Sequence, residues 1–309
     1  MDFIGHEAIR KRVYNEIKNN ALSHAHLIIG EDGIGKSLLA KEIALQIMGK
    51  NEDREYIDIV HYKPSKLSFG VDDVRSIISE INKKPYEGNK KVIIIHEGNK
   101  LTIQAQNALL KTIEEPPKGV FIIILCESGE LILDTVKSRC QIHKLSPLSK
   151  IEMESFINKN YNNLDDKLKN TLIAFSAGIP GRADKFLKDQ DFKNIRDLAL
   201  NILKDINIRD EKLVIKYGEM LSKYSDKIDD FLAILVSFIR DIIIYKEVEN
   251  LSIIINGDKI DNIIELSNIM SYKKLKWIIE VIDNTRRNLK NNTNVAITFD
   301  VMLMNLLEV

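Results

Sequence analysis

Two cysteines in 309 residues, Cys126 and Cys140, are too few for a disulfide framework or a four-cysteine zinc site. Both are expected as reduced thiols in or near the core. An excess of charge of one sign is also missing. The 45 basic residues balance 45 acidic ones, so a general electrostatic grip on nucleic acid is unsupported and any such contact must come from a local patch. No apolar run approaches ~18 residues, which excludes a membrane-spanning helix. The first thirty residues carry Glu7 and Glu16 and no long apolar block. That is unlike a secretory leader, and the chain is expected in the cytoplasm with no membrane partner. Internal repeats and low-complexity segments are not evident. What is there, 44% hydrophobic and 29% charged residues, is the make-up of a globular chain. Its length suggests about two domains, with room for three small ones.

Ala25–Ile29 reads as a strand that runs directly into G-E-D-G-I-G-K-S. This is the pattern G-x-x-x-x-G-K-S/T, occupied by Gly30, Gly35, Lys36 and Ser37, with Gly33 as an extra glycine. Glycines at these places let backbone N–H groups turn inward around phosphate oxygens. Lys36 can reach the β- and γ-phosphates, Ser37 offers a hydroxyl to Mg²⁺, and the helix expected over 38–48 adds its positive end. ATP with Mg²⁺ is the ligand the pattern implies. A glycine-rich turn without a ligand is the alternative, and a small-molecule P-loop kinase would carry the same motif. His24 and His26 read as surface or capping histidines, with no third ligand nearby for a metal.

Val92–Ile95 is all apolar, the pattern of a parallel strand buried on both faces. His96, Glu97 and Asn99 then place polar groups at its carboxyl end, where open α/β sheets hold ligands. A helix is expected over 101–115, stopped by Pro116 and Pro117. Further strands are expected at 57–61, 120–125 and 141–144. Helices are expected over 6–20, from the spacing of Ile9, Val13 and Ile17, and over 71–82, with Val74, Ile77, Ile78 and Ile81 inward. Lys150–Lys188 holds three short helices. From about Ile195 the chain reads as long helices with few breakers, among them 231–245, 275–289 and 295–307.

N-A-L-L-K-T-I-E-E-P-P over 107–117, followed by S-R-C over 138–140, resembles the AAA+ clamp-loader subunits of bacterial DNA polymerase III. Within that family the chain most resembles the δ′ type. S-H-A-H-L-I-I-G before the P-loop is similar to the same family's entry into that loop. The resemblance is sharp over roughly residues 1–190 and thinner beyond. It implies an α/β AAA+ P-loop domain with a parallel sheet over 1–147, a small helical lid over 148–190 and an all-helical collar over 191–309. The implied partners are sister subunits of the γ/τ and δ types in a hetero-oligomeric ring, with the sliding clamp and primer-template DNA reached through the assembly.

The family's roles carry over residue by residue. Arg139 of S-R-C would be an arginine finger acting in trans on a neighbour's ATP, the alternative being an arginine paired to a surface carboxylate. Arg182, in A-G-I-P-G-R-A-D-K-F, would occupy a lid sensor position or be an ordinary solvated helix residue. The chain also departs from the family. His96 stands where an Asp orients Mg²⁺, and Glu97 aligns with the Glu that polarises water. Cys126 and Glu127 stand where Thr or Asn senses the γ-phosphate. No cysteine lies between Gly49 and Lys63, where relatives carry a zinc module, so no zinc is expected. These departures imply a P-loop that holds nucleotide and hydrolyses it weakly or not at all. A γ/τ-type ATPase, favoured by the intact P-loop, is the alternative.

Overall fold

The computed structural model describes residues 4–52, 54–64, 68–161, 164–208, 210, 212–291 and 293–308. The chain divides into two units. The first runs to Lys159 and takes in Gly178–Gly181; the second comprises Asn160–Ala177 and everything from Arg182 onward.

The first unit alternates helix and strand: α1 (Glu7–Lys18), β1 (Ala25–Ile29), α2 (Lys36–Met48), β2 (Ile59–Tyr62), α3 (Val71–Ile81), β3 (Lys91–Ile95), α4 (Ile103–Glu114), β4 (Val120–Cys126), α5 (Asp134–Lys137), β5 (Gln141–Lys144) and α6 (Lys150–Asn160). The strands form one parallel sheet in the order β2-β3-β4-β1-β5. Successive side chains on a strand point to opposite faces, and here both faces are covered. Ile93, Ile95, Ile122 and Ile124 enter one core with Val74, Ile77 and Ile81 of α3 and Leu109 and Ile113 of α4. Val92, Ile94, Ile123 and Leu125 enter the other with Leu39, Ile43 and Ile47 of α2 and Val13 of α1. This explains the unbroken apolar runs, since a strand sandwiched between helices has no solvent face. Each such buried side chain contributes roughly 1.5–3 kcal/mol.

Three local expectations need correction. The strand expected at 57–61 begins at Ile59. Ile57 is exposed, while the fully buried Asp58 carboxylate accepts from the Tyr86 and Glu87 N–H groups at 2.8 and 2.7 Å. That side chain ties down a turn. The helix expected from 101 begins at Ile103, because Thr102 Oγ1 caps it by accepting from Ala105 N–H at 3.2 Å. His26 is not at the surface: it is fully buried, its Nδ1 3.1 Å from His143 Nε2, and Arg12 Nη2 lies 3.0 Å from His143 Nδ1.

The second unit is helical: α7 (Asp166–Ser176), most of α8 (Pro180–Lys188), α9 (Gln190–Asp205), α10 (Lys212–Ser222), α11 (Ile228–Val248), α12 (Ile260–Ile269), α13 (Tyr272–Lys290) and α14 (Val295–Leu307). Its centre is α11, which buries Phe231, Leu235, Phe238 and Ile242. Asp241 lies on the same helix and is also fully buried. Its carboxylate accepts from Ile255 N–H at 3.0 Å, Asn256 N–H at 2.7 Å and Asn256 Nδ2 at 2.8 Å, and pairs with Arg240. Arg196 of α9 donates to Asn256 Oδ1 and both Asp258 oxygens at 3.0 Å and lies 4.2 Å from the centre of the Phe186 ring. Buried donors without acceptors cost about 1–3 kcal/mol each, so this network pins the 251–259 connection to α9 and α11. Asp241→Ala should lower stability by about 3 kcal/mol, read from the urea midpoint, whereas exposed Asp229→Ala should change it by less than about 1 kcal/mol. Equal midpoints for the two variants would remove the network's structural role.

Candidate functional site

The polar residues singled out in the first unit gather where β1, β3 and β4 end. After β1 the chain turns through Gly33 and Gly35, at φ 80° and 108°, a region that side chains rarely adopt. A Cβ at Gly33 would also stand 3.0 Å from the Gly181 Cα. The loop delivers Lys36 and Ser37 to the first turn of α2, so the helix's unpaired N–H groups face the loop's interior. Gly30 N–H donates to Cys126 O at 3.1 Å, fixing the loop to β4.

Lys36 Nζ donates to the loop's own carbonyls, Gly30 O at 2.7 Å and Glu31 O at 2.9 Å. Burial lowers its pKa, and the carboxylates of Asp32 and Glu127 oppose that shift. Gly33 O accepts from Gly181 N–H at 2.9 Å. The loop has the shape of a phosphate cradle, and its cationic side chain is satisfied by the cradle's own backbone. Glycines, lysine and helix terminus fit a nucleotide's phosphates, provided Lys36 exchanges two carbonyls for phosphate oxygens.

The metal position does not suit Mg²⁺. Ser37 Oγ lies 3.5 Å from His96 Nδ1, and His96 Nε2 lies 3.0 Å from His61 Nδ1. An imidazole therefore stands where the hydration shell of Mg²⁺ would call for a carboxylate. Burial, then His61 and Lys63, pushes the His96 pKa down to about 4, so the ring is neutral near pH 7 and supplies no negative charge. Glu97 lies at positive φ, 51°, and pairs with Lys100. At the end of β4, Cys126 is buried, with its thiol pushed up to about 11 by burial, and Glu127 is exposed.

Arg139 sits on a different part of the first unit, just past α5. Its side chain is 38% exposed and pairs with Glu114 at the end of α4, while Nη1 donates to Thr135 O at 2.9 Å. Arg182 is exposed on the first turn of α8 and belongs to the second unit. The structure thus brings together Gly30, Gly33, Gly35, Lys36, Ser37 and His96, and keeps Arg139 apart from them.

Two participants had no sequence signal of their own. His61 is a lone histidine within β2. Gln106 is fully enclosed between α4 and the segment before α5: it donates to Leu101 O and Leu131 O at 3.1 and 3.0 Å and accepts from Leu133 N–H at 2.8 Å. Its place one residue before the 107–117 block was the only hint. By these three bonds it positions the segment that carries Arg139.

Two family models match. One, described as "DNA polymerase III, delta subunit", matches residues 5–149, and one described as "DNA polymerase III, delta subunit, C terminal" matches residues 190–308. The chain is 32% identical to DNA polymerase III subunit delta′ of Bacillus subtilis over 45% of this chain and 47% of that one. It is 26% identical to DNA polymerase III subunit tau of the same organism over 98% of this chain and 60% of that one. The matched stretch thus spans about half the length of these curated relatives. A crystal structure of a DNA polymerase III gamma subunit-related protein from Thermotoga maritima shares the fold, with TM-score 0.53 and 18% identity over 96% of this chain and 98% of that one.

Acid should weaken the first unit through its buried imidazoles. Burial first, then His143, holds His26 down to about 4; burial first, then Arg12, does the same to His143; His96 is held there as described. These rings are neutral in the fold, whereas the unfolded chain takes up protons near pH 6.5. Their stability contribution is therefore complete above pH 6.5 and is lost as pH falls toward 4. The thermal midpoint should drop between pH 7 and pH 4.5, and His26→Gln should shrink the drop. A midpoint flat over that window would contradict this.

Proposed function

Since the chain belongs to the clamp-loader subunits of DNA polymerase III, we propose that it is the δ′-type member of such an assembly. In this role it is a weakly hydrolysing or non-hydrolysing arm that supplies Arg139 in trans to a neighbouring subunit's ATP during loading of a sliding clamp on primed DNA. The observation that carries the reading is the neutral His96 ring beside Ser37, in a chain that also displays Arg139 on its surface. One withdraws charge from this chain's own metal position; the other offers a planar, always-charged fork suited to phosphate oxygens.

The remaining organisation is proposed on the same footing. Residues 1–147 are the AAA+ P-loop domain, 148–190 a lid with Arg182 as its sensor arginine, and 191–309 a collar that packs against γ/τ- and δ-type sisters. ATP or ADP would sit on Gly30, Gly33, Gly35, Lys36 and Ser37, and Glu97, held by Lys100, would add little to water activation. The assembly would work in the cytoplasm. Among the described residues no helix is long and apolar enough to cross a membrane.

A γ/τ-type ATPase is the second reading, supported by the complete P-loop and by the tau relative's match over 98% of this chain. A small-molecule kinase accounts for neither the 107–117 block nor the helical second unit.

Turnover separates the readings. The isolated chain should hydrolyse ATP feebly; robust turnover abolished by Lys36→Ala would establish the γ/τ type. In a complex reconstituted with sister subunits, Arg139→Ala should lower DNA- and clamp-stimulated hydrolysis, by far less than the ~10³–10⁵ of a single-site arginine finger because other sites still fire. The variant should assemble and unfold like wild type, and Arg139→Lys should rescue poorly. Wild-type stimulation from an assembled Arg139→Ala complex would reduce Arg139 to the partner of Glu114.

A further inference from the structure

We propose that Ser37 and His96 form, together with the phosphates of a bound nucleotide, a site for a divalent transition-metal ion of the Mn²⁺, Co²⁺ or Zn²⁺ class in place of Mg²⁺. Ser37 Oγ and His96 Nδ1 are 3.5 Å apart, a separation that two ligands of one cation keep when each bond is about 2.1 Å and the angle near tetrahedral. The other nitrogen of His96 is occupied: Nε2 faces His61 Nδ1 at 3.0 Å, with ring centres 5.3 Å apart. With the proton of that hydrogen bond on His96 Nε2, the lone pair of Nδ1 points toward Ser37. A ligating histidine is oriented in this way, by a partner on its far nitrogen that fixes ring and tautomer.

The donor set decides the class of ion. Mg²⁺ takes oxygen ligands in near-ideal octahedral geometry and parts with water reluctantly. Imidazole nitrogen mixed with hydroxyl and phosphate oxygen suits Co²⁺ and Zn²⁺, with Mn²⁺ at the weak end of the first-row order. Among the described residues no group of three His, Cys, Asp or Glu could hold a metal by itself, so phosphate oxygens must complete the shell. The site is thus expected to fill only with nucleotide. Polyphosphate charge also answers the electrostatic objection, since Lys63 acts on both histidines and Lys41 on His61, and these charges would repel a cation arriving alone.

The inference rests on the P-loop holding nucleotide and is independent of the δ′ assignment and of Arg139. The test uses the full chain and a fluorescent ADP, titrated in EDTA and with Mg²⁺, Mn²⁺ or Co²⁺. Mn²⁺ and Co²⁺ should tighten binding about tenfold more than Mg²⁺. Co²⁺ with unlabelled ADP should give visible d–d absorption beyond that of Co²⁺–ADP alone. His96→Ala should abolish those bands and the preference, His61→Gln should weaken metal-dependent binding by about 10-fold or more, and His96→Asp should turn the preference to Mg²⁺. The ranking of metals on the wild-type chain needs no variant and stands even where one folds poorly. Equal or better binding with Mg²⁺, binding indifferent to metal, or Co²⁺ bands that survive His96→Ala would overturn the metal site while leaving the P-loop reading intact. Absence of ADP binding under every condition would overturn both.

Discussion

Burial of both faces of β1, β3 and β4 is the constraint on which the first unit depends. A strand covered by helices on either side has no place for a polar group along its length, apart from one that finds an internal partner. Chemistry is therefore pushed to the strand ends, and because the strands are parallel their carboxyl ends lie on one edge. Gly30 follows β1, His96 follows β3, and Cys126 ends β4. The P-loop meets His96 for this topological reason, although 59 residues separate His96 from Ser37. The exceptions respect the same rule: buried His26 pairs with His143, and buried Lys91 reaches Glu80 at 2.9 Å.

At that edge the cradle and the metal position diverge. The cradle is a property of backbone: positive-φ glycines and an open helix terminus keep their shape whatever stands nearby. The metal position is a property of charge. A carboxylate about 4 Å from a cation is worth on the order of 4 kcal/mol per charge product at an effective dielectric near 20; a neutral imidazole forfeits that and offers a nitrogen lone pair instead. Glu97 does not compensate, because Lys100 already claims it. A histidine at this one position thus leaves the cradle's backbone shape standing and would change which metal chemistry could accompany a phosphate there.

β1, β3 and β4 were legible because double-sided burial writes itself as apolar runs, and β5 lies at the expected 141–144. The Gly30–Ser37 cradle was legible because its motif encodes a backbone path. What escaped reading depends on pairs distant in sequence. Nothing local distinguishes His26, buried against His143 117 residues away, from a capping histidine. Asp58 looked like part of a strand because its turn partners lie 28 and 29 residues on. Asp241, on an otherwise apolar helix face, is intelligible only once Asn256 is seen to need its acceptors. Polar burial is a contract between two places in the chain, and a single stretch shows one side of it.

The pairing of Arg139 with Glu114 bears on its proposed use in trans. An exposed ion pair is worth about 0.2–1 kcal/mol, and both side chains here are more than a third exposed. Stabilising a transferring phosphoryl group is worth several kcal/mol, as the ~10³–10⁵ rate effects of arginine fingers imply. In the proposed role, Glu114 would therefore be too weak a partner to keep Arg139 from a neighbour's phosphates. It still fixes where the guanidinium waits. With Nε on Glu114 and Nη1 on the Thr135 carbonyl, the side chain gives up rotamer freedom before any partner arrives, and less of that cost falls on binding. The same helix carries Gln106 near its start and Glu114 at its end. One rigid element thereby positions both the segment that bears the arginine and the arginine itself, which is the arrangement a residue acting on another chain's substrate requires.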